Sequence, residues 1–210
     1  MTLRLNGVNS GFTEVKAPAT AGSNTLTLPT SNGSANQYLK NGSTAGALEF
    51  ANLPDLGYTA YTTKATTSGT THTVTGLNTS HTHFIIGFTG VSVSSTGTPH
   101  LLAQLGNGTL STSGYSSNVA YPAGGQQGAS SSIRLTHTAY SGAANEYSGL
   151  LHILCSAGDA VTGNWILSAA GASAPVYGGF RWTGSTAIDR FSLQTSATAF
   201  DSGQFKIHSR

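Results

Sequence analysis

Hydrophobic and polar residues alternate along several short segments of this chain. The clearest alternations cover residues 83–88, 191–194 and 205–208, and the first of them places Phe84, Ile86 and Phe88 on one side. Successive side chains of a β-strand point to opposite faces, so this period of two predicts strands with one buried face. No window of about eleven residues shows helical spacing without a break by Gly, Pro or a Ser/Thr cluster. The pattern therefore predicts an all-β protein.

Turn-rich stretches separate the alternating segments. Ser, Asn, Gln and Gly residues cluster at residues 94–97, 106–108 and 123–128. Such clusters favour tight turns, and their spacing is typical of a β-sandwich or a jelly roll. We expect the C-terminal part of the chain to form a jelly-roll-like β-sandwich.

A change of composition near Leu53-Pro54-Asp55 divides the chain into residues 1–56 and 57–210. The first part has few aromatic residues, whereas the second has both Trp residues and most of the Tyr and Phe. The extended pieces at 25–29, 37–39 and 47–50 are too short to bury a core within one chain. We therefore expect a short N-terminal β extension that intertwines with other copies, either as a stalk or as an attachment module.

Few residues carry a charge. Charged residues make up 8% of the 210, against roughly 25% in an average soluble domain, while Ser, Thr and Gly make up about two-fifths. Nine basic and seven acidic residues are spread thinly, so no basic cluster predicts nucleic-acid binding. Without a long apolar run or a charged leader, we expect no membrane insertion and no secretory signal, hence synthesis in a cytosol.

Several short motifs, in order and spacing, resemble proteins of tailed bacteriophages. Residues 17–29, 33–39 and 46–50 are similar to a module repeated in tail fibres and other virion proteins. Later segments are similar to a C-terminal β-sandwich of phage appendage proteins; they are residues 75–77, 85–92, 104–106, 112–115 and 200–207. The sequence departs from the family pattern at His81-Thr82-His83, so the resemblance assigns no role to these residues.

This resemblance implies a homotrimeric virion component; that the protein is not an enzyme is a separate prediction from the lack of catalytic motifs in the sequence. Such a protein would be a tail fibre or receptor-binding protein that attaches the particle to a glycan or protein of the host surface. The alternative is a decoration protein that stabilises the capsid or tail. Both would contact other virion proteins, and both would be located in the virion.

His81 and His83 raise the question of a metal site. If alternate residues of a strand share a face, a threefold axis would bring six imidazoles together, which suits octahedral iron, nickel or zinc. The other reading is that both are polar residues at the solvated start of the predicted strand Phe84 to Val91, next to a Thr-rich turn. We favour the second reading and predict no metal and no cofactor.

Catalytic motifs are missing from the sequence. There is no Gly-x-Ser-x-Gly elbow, and Cys155 lies in an apolar run, where a thiol behaves as a small buried hydrophobe. A glycoside hydrolase needs two carboxylates near each other, and Asp201 is interpreted here as part of a Phe-Asp-Ser-Gly turn. The seven carboxylates are widely separated: Glu14, Glu49, Asp55, Glu146, Asp159, Asp189 and Asp201. The remaining histidines lack metal-ligand spacing; they are His72, His100, His137, His152 and His208, and we expect His152 to be a core or interface residue.

Two segments of the sequence have the composition of loops that bind a ligand. Residues 113–127 contain Tyr115 and Tyr121 among Ser, Asn and Gly, a composition suited to adaptable binding surfaces. A second candidate loop runs from residue 140 to 147. Trp165 and Trp182 could stack on a sugar, although we favour a core position for both because a buried Trp contributes a large area. No receptor-binding residue is assigned from the sequence.

Overall fold

The structure is a computed structural model that describes residues 2–6, 11–16, 20, 25–52, 57–94, 97–122, 124–140, 145–156, 158–171, 175–196 and 199–210. Within these ranges the regular structure is all strand, apart from one 3-10 turn at Thr138–Tyr140. The all-β prediction is confirmed. The described part contains no helix that is long and apolar enough to cross a membrane. The chain divides into two compact units, Met1–Asp55 and Leu56–Arg210, and the predicted boundary at Leu53-Pro54-Asp55 lies outside the described residues.

The strands in the described part of the first unit form two hairpins. Strand β1 (Thr2–Asn6) pairs with β2 (Phe12–Lys16), and β3 (Gln37–Asn41) pairs with β4 (Leu48–Asn52), all antiparallel. An isolated parallel bridge joins Thr27 to Ala47. None of residues 25–52 is buried. These residues therefore form no core of their own.

The second unit is built from two antiparallel sheets. Its strands are β5 (Thr59–Ala60), β6 (Lys64–Ala65), β7 (Thr71–Thr75), β8 (His83–Val93), β9 (Leu101–Asn107), β10 (Thr109–Leu110), β11 (Tyr115–Ala120), β12 (Gln126–Ala129), β13 (Ile133–Arg134), β14 (Glu146–Leu154), β15 (Val161–Ala170), β16 (Val176–Trp182), β17 (Arg190–Thr195) and β18 (Phe200–Ser209). The larger sheet has the order β12-β11-β16-β15-β14-β8-β18-β5, with β6 also on β18, and the smaller has the order β10-β9-β17-β7, with β13 on β9.

The inward faces of the two sheets form one core. Alternate residues of the first half of β8 and the second half of β18 are buried as the sequence predicts. On β17 Phe191 and Leu193 are buried as predicted, but Ser192 between them is buried as well, so the prediction of a single buried face is wrong for that strand. The ring of Phe191 meets that of Phe205 edge-on at 5.6 Å. Because β17 and β18 belong to different sheets, this contact closes a sandwich-like arrangement. Cys155, Trp165 and Trp182 are all buried, which confirms the core positions expected for them.

The start of β18 corrects one prediction. Residues 200–203 do not form a turn; they belong to the strand, whose pairing with β8 shifts register on both sides of Ser202. Gly203 has a φ of +89° there, a conformation that suits glycine. The Asp201 carboxylate accepts a hydrogen bond from the Ser92 hydroxyl on the neighbouring strand. A bulge therefore accommodates the Asp-Ser-Gly sequence within a continuous strand.

Candidate functional site

Tyr115 and Tyr121, which the sequence places in one loop, have different environments. Tyr115 begins β11 and is buried, and its hydroxyl accepts the Leu105 N–H at 2.7 Å. Its ring stacks on Trp182 with centroids 5.8 Å apart. Tyr115 is therefore a core residue, and burial raises its pKa to about 12. Only Tyr121 stays in the turn region, between β11 and β12.

Tyr121 packs against His137, whose ring centroid lies 4.6 Å from its own. Gly125 fits between them, because a Cβ at that position would come within 2.7 Å of Tyr121 Cε1 and 2.8 Å of His137 Nε2. His137 Nδ1 accepts the N–H of Ala139 at 3.1 Å, which fixes the orientation of the ring. The β11–β12 turn is thus anchored to the segment that follows β13.

Two further hydrogen bonds support the same segment. The Gln127 amide donates to Thr138 Oγ1 at 2.6 Å and accepts the Thr138 N–H at 3.0 Å. These bonds attach the 3-10 turn to β12. The second loop predicted from the sequence, residues 140–147, continues from this turn, but residues 141–144 lie outside the described part of the chain.

A cationic group lies close to these loops. Arg134 Nη2 donates to His100 Nε2 at 2.5 Å, and Arg134 Nε donates to the Thr136 carbonyl at 3.3 Å. Burial, followed by the charges of Arg134 and His137, lowers the pKa of His100 to about 4. His100 is therefore neutral at physiological pH, and none of the ion pairs found among the described residues involves Arg134. This charge can attract an anionic group of a ligand.

His81 and His83 do not share a face. His81 Nδ1 is 2.6 Å from Ser209 Oγ, and Ser209 is fully buried beside the core. His83 lies on the opposite side of the larger sheet, where its Nδ1 is 2.7 Å from the Tyr58 hydroxyl. The alternation assumed for His81-Thr82-His83 begins only at His83, because β8 begins there. The six-imidazole arrangement thus loses the shared face on which it depended.

The partner of His83 is His152 on β14. Their Nε2 and Nδ1 atoms are 3.4 Å apart, and the rings stack with centroids at 5.6 Å. Burial, then the charges of His152 and Arg210, lowers the pKa of His83. Within the described residues, no three His, Cys, Asp or Glu side chains are grouped so that they could hold a metal ion.

Three of the seven carboxylates pair with a cationic side chain or a hydroxyl group, and not with a second carboxylate. Glu49 pairs with Lys40 at 2.9 Å, Asp189 pairs with Arg190 at 2.7 Å, and Asp201 accepts from Ser92. The Glu14 side chain and Asp55 lie outside the described residues. Burial raises the pKa of the Cys155 thiol to about 11, so this group is a poor nucleophile at neutral pH.

The solvent side of the larger sheet, called here the outer face, carries an unexpected apolar row. Leu150, Ile166 and Tyr177 are directly opposite one another on β14, β15 and β16, and their exposed fractions are 43%, 54% and 44%. Leu154, which is 49% exposed, lies on the same face of β14, four residues beyond Leu150. Every large hydrophobic residue that is exposed in the described part of the second unit belongs to this face.

Uncharged residues surround the apolar row. Gly87 is next to Leu150 on β8, and a Cβ at Gly87 would be in van der Waals contact with the Leu150 side chain. The neighbouring row places His152 between Ile85 and Asn164. The apolar run that contains Cys155 covers residues 150–155 and gave no sign of an exposed surface. The period of two places residues 150, 152 and 154 together on the face opposite to that of Cys155.

No family model, no curated protein and no solved structure matches the chain. The resemblance to phage appendage proteins therefore stays a prediction based on short motifs.

Proposed function

We propose that this protein is a homotrimeric structural component of a bacteriophage particle, in which it acts as a tail fibre or receptor-binding protein. The observation that carries the proposal is the absence of any buried residue in residues 25–52. Leu26 and Leu28 are 63% and 67% exposed, and Leu39 is 46% exposed. Apolar side chains that one chain leaves in water are stabilised when other chains cover them.

The first unit therefore serves for assembly. Its hairpins are five residues per strand, and an isolated two-stranded hairpin is marginally stable in water. Copies of the unit that intertwine, or that dock on another virion protein, would bury these leucines. A stalk or attachment module of this kind leaves the second unit free to face outward.

The second unit would be the adhesive part, and we propose a jelly-roll-like topology for it. Its described loops around Tyr121 and Arg134 combine an aromatic ring, a cation and amide groups on segments pinned by hydrogen bonds. Such loops suit a host-surface glycan or protein. Three copies on one axis can increase the avidity by roughly 10² to 10⁴ without any new contact.

Light scattering with in-line chromatography tests the assembly. The full chain is expected at about three times its mass of 21.4 kDa. A second sample that begins at residue 57 keeps the complete core described above, so it is expected to fold by itself. A monomeric full chain would refute the proposal.

A binding assay separates adhesion from decoration. The purified protein is expected to bind host cells and to block infection by competing for the receptor. If the protein instead binds particles that lack it and has no affinity for cells, it is a decoration protein and the adhesive role is wrong.

A further inference from the structure

The apolar row on the outer face has no counterpart elsewhere on the described sandwich. Tyr177, Ile166 and Leu150 cross three adjacent strands in one line, so their side chains form a continuous strip. Scattered single apolar residues on a surface need no explanation, whereas a contiguous strip marks an interaction surface. We infer that the outer face of the larger sheet packs against other copies of this chain.

The size of the face fits a stable contact between copies. Six neighbouring strands, β11, β16, β15, β14, β8 and β18, span about 29 Å at a spacing of roughly 4.8 Å. Strand β14 has nine residues, about 30 Å at roughly 3.3 Å each. The product, about 850 Å², is an upper bound on the footprint of the face, because β11 and β16 have only six and seven residues. A standard interface buries roughly 800 Å² per partner, so the face is large enough for one such contact.

The charge pattern selects a copy of the same chain over a different partner. Near the threefold axis of the proposed trimer, each side chain approaches its own counterparts from the other two copies, so any charge close to that axis would meet like charges. The outward residues of the central strands β14 and β15 are uncharged except for Glu146, at the first position of β14. Arg181 and Lys206 lie on β16 and β18, to either side of this uncharged centre. A foreign partner would impose no such restriction on the centre of the face.

Polar groups next to the row can be satisfied within such a contact. Asn164 and His152 are opposite each other in the neighbouring row, and both have side chains that can donate and accept hydrogen bonds. An apolar strip with a polar, uncharged margin is the usual composition of a contact between subunits. The inference rests on the proposed assembly and adds the surface through which the sandwiches meet.

The test measures self-association of residues 57–210 and of the full chain by sedimentation equilibrium. The variant Ile166→Lys places a charge in the middle of the strip and is expected to raise the dissociation constant of the sandwich at least about 100-fold. The matched control, Thr75→Lys, adds the same charge at an exposed strand position of the smaller sheet. It is expected to leave the association unchanged.

A second variant and a fold measurement make the result decisive. Tyr177→Lys changes another member of the strip and is expected to dissociate the sandwich as Ile166→Lys does, with the near-ultraviolet circular dichroism of the buried Trp residues retained. The inference is wrong if both folded variants associate like the wild type, or if the unaltered sandwich is monomeric at about 100 μM. If the unaltered sandwich is monomeric but the full chain associates, only this inference is wrong and the proposed function stands. If the full chain is monomeric as well, both the inference and the proposed function are wrong.

Discussion

His100 offers a test of the loop environment through the pH dependence of stability. The imidazole accepts a hydrogen bond from Arg134 and is partly buried. Burial and the Arg134 charge lower its pKa to about 4, whereas an imidazole in the unfolded chain titrates near pH 6.5. Replacing His100 by Gln removes this titration and keeps an amide oxygen that can accept from Arg134.

The sign and the size follow from proton linkage. Between pH 6.5 and about 4 the unfolded chain binds a proton at His100 that the folded chain does not bind, so the free energy of unfolding falls as the pH falls. The interval corresponds to about 3 kcal/mol at about 1.4 kcal/mol per pH unit. Because solvent reaches part of the ring, we expect about 2 kcal/mol in practice. Above pH 7 the group is neutral in both states and contributes no pH dependence.

The measurement is urea unfolding of residues 57–210 at a fixed protein concentration, followed by Trp fluorescence from pH 8 to pH 4.5. The difference between wild type and His100→Gln at pH 8 reports the packing that the variant loses. Between pH 8 and pH 4.5 the free energy of unfolding of the wild type is expected to fall by about 2 kcal/mol more than that of the variant. Parallel curves for the two proteins would show that His100 titrates normally in the fold, and the environment described for it would be wrong.

Three further predictions concern the packing of the sandwich. Cys155, buried with its pKa raised to about 11, is expected to react with a disulfide reagent at pH 8 at least about 100-fold more slowly in the folded than in the unfolded chain; equal rates would contradict its burial. Gly203→Ala would place a Cβ 2.3 Å from the Gly90 carbonyl oxygen, whereas Gly158→Ala, with a similar positive φ, meets no atom within 4 Å; calorimetry should show the first variant to be less stable by about 2 kcal/mol, and similar melting temperatures would refute the close contact. Phe191→Ala, at a fully buried position, is expected to cost about 3–5 kcal/mol in chemical unfolding, and a loss below about 1 kcal/mol would contradict its place between the sheets.

The buried alternations were predictable because they depend on local geometry. Phe84, Ile86 and Phe88 share one side of β8 whichever strand pairs with it, and the same holds for Phe205 and Ile207 on β18. The absence of a core in residues 25–52 was also predictable from the sequence, since short strands with few bulky residues do not bury a core in one chain. Both results need only the period of the pattern and the size of the side chains.

The candidate sites depend on pairings that no local pattern contains. Arg134 and His100 are 34 positions apart and meet because β13 pairs with the start of β9. His81 and His83 show the reverse problem, because the metal hypothesis required these two neighbours in sequence to share a face, and they do not. The backbone N–H groups of Thr82 and His83 both donate to the Arg210 carbonyl, so the regular alternation of β8 begins only after that irregular pair of bonds.

The edges and the outer face of the larger sheet give different indications of how this chain associates. An unpaired edge is the usual route to unwanted strand pairing, and short edge strands limit it. At one edge of the larger sheet β5 and β6 are two residues long, and at the other edge β12 is four residues long, so these edges offer little to another chain. The outer face is the opposite case, since four large apolar side chains on three adjacent strands of the sheet remain in water. A sandwich that worked alone could carry polar residues at these four positions without any change to its core. Short edges combined with an apolar face therefore favour assembly through the face of the sheet.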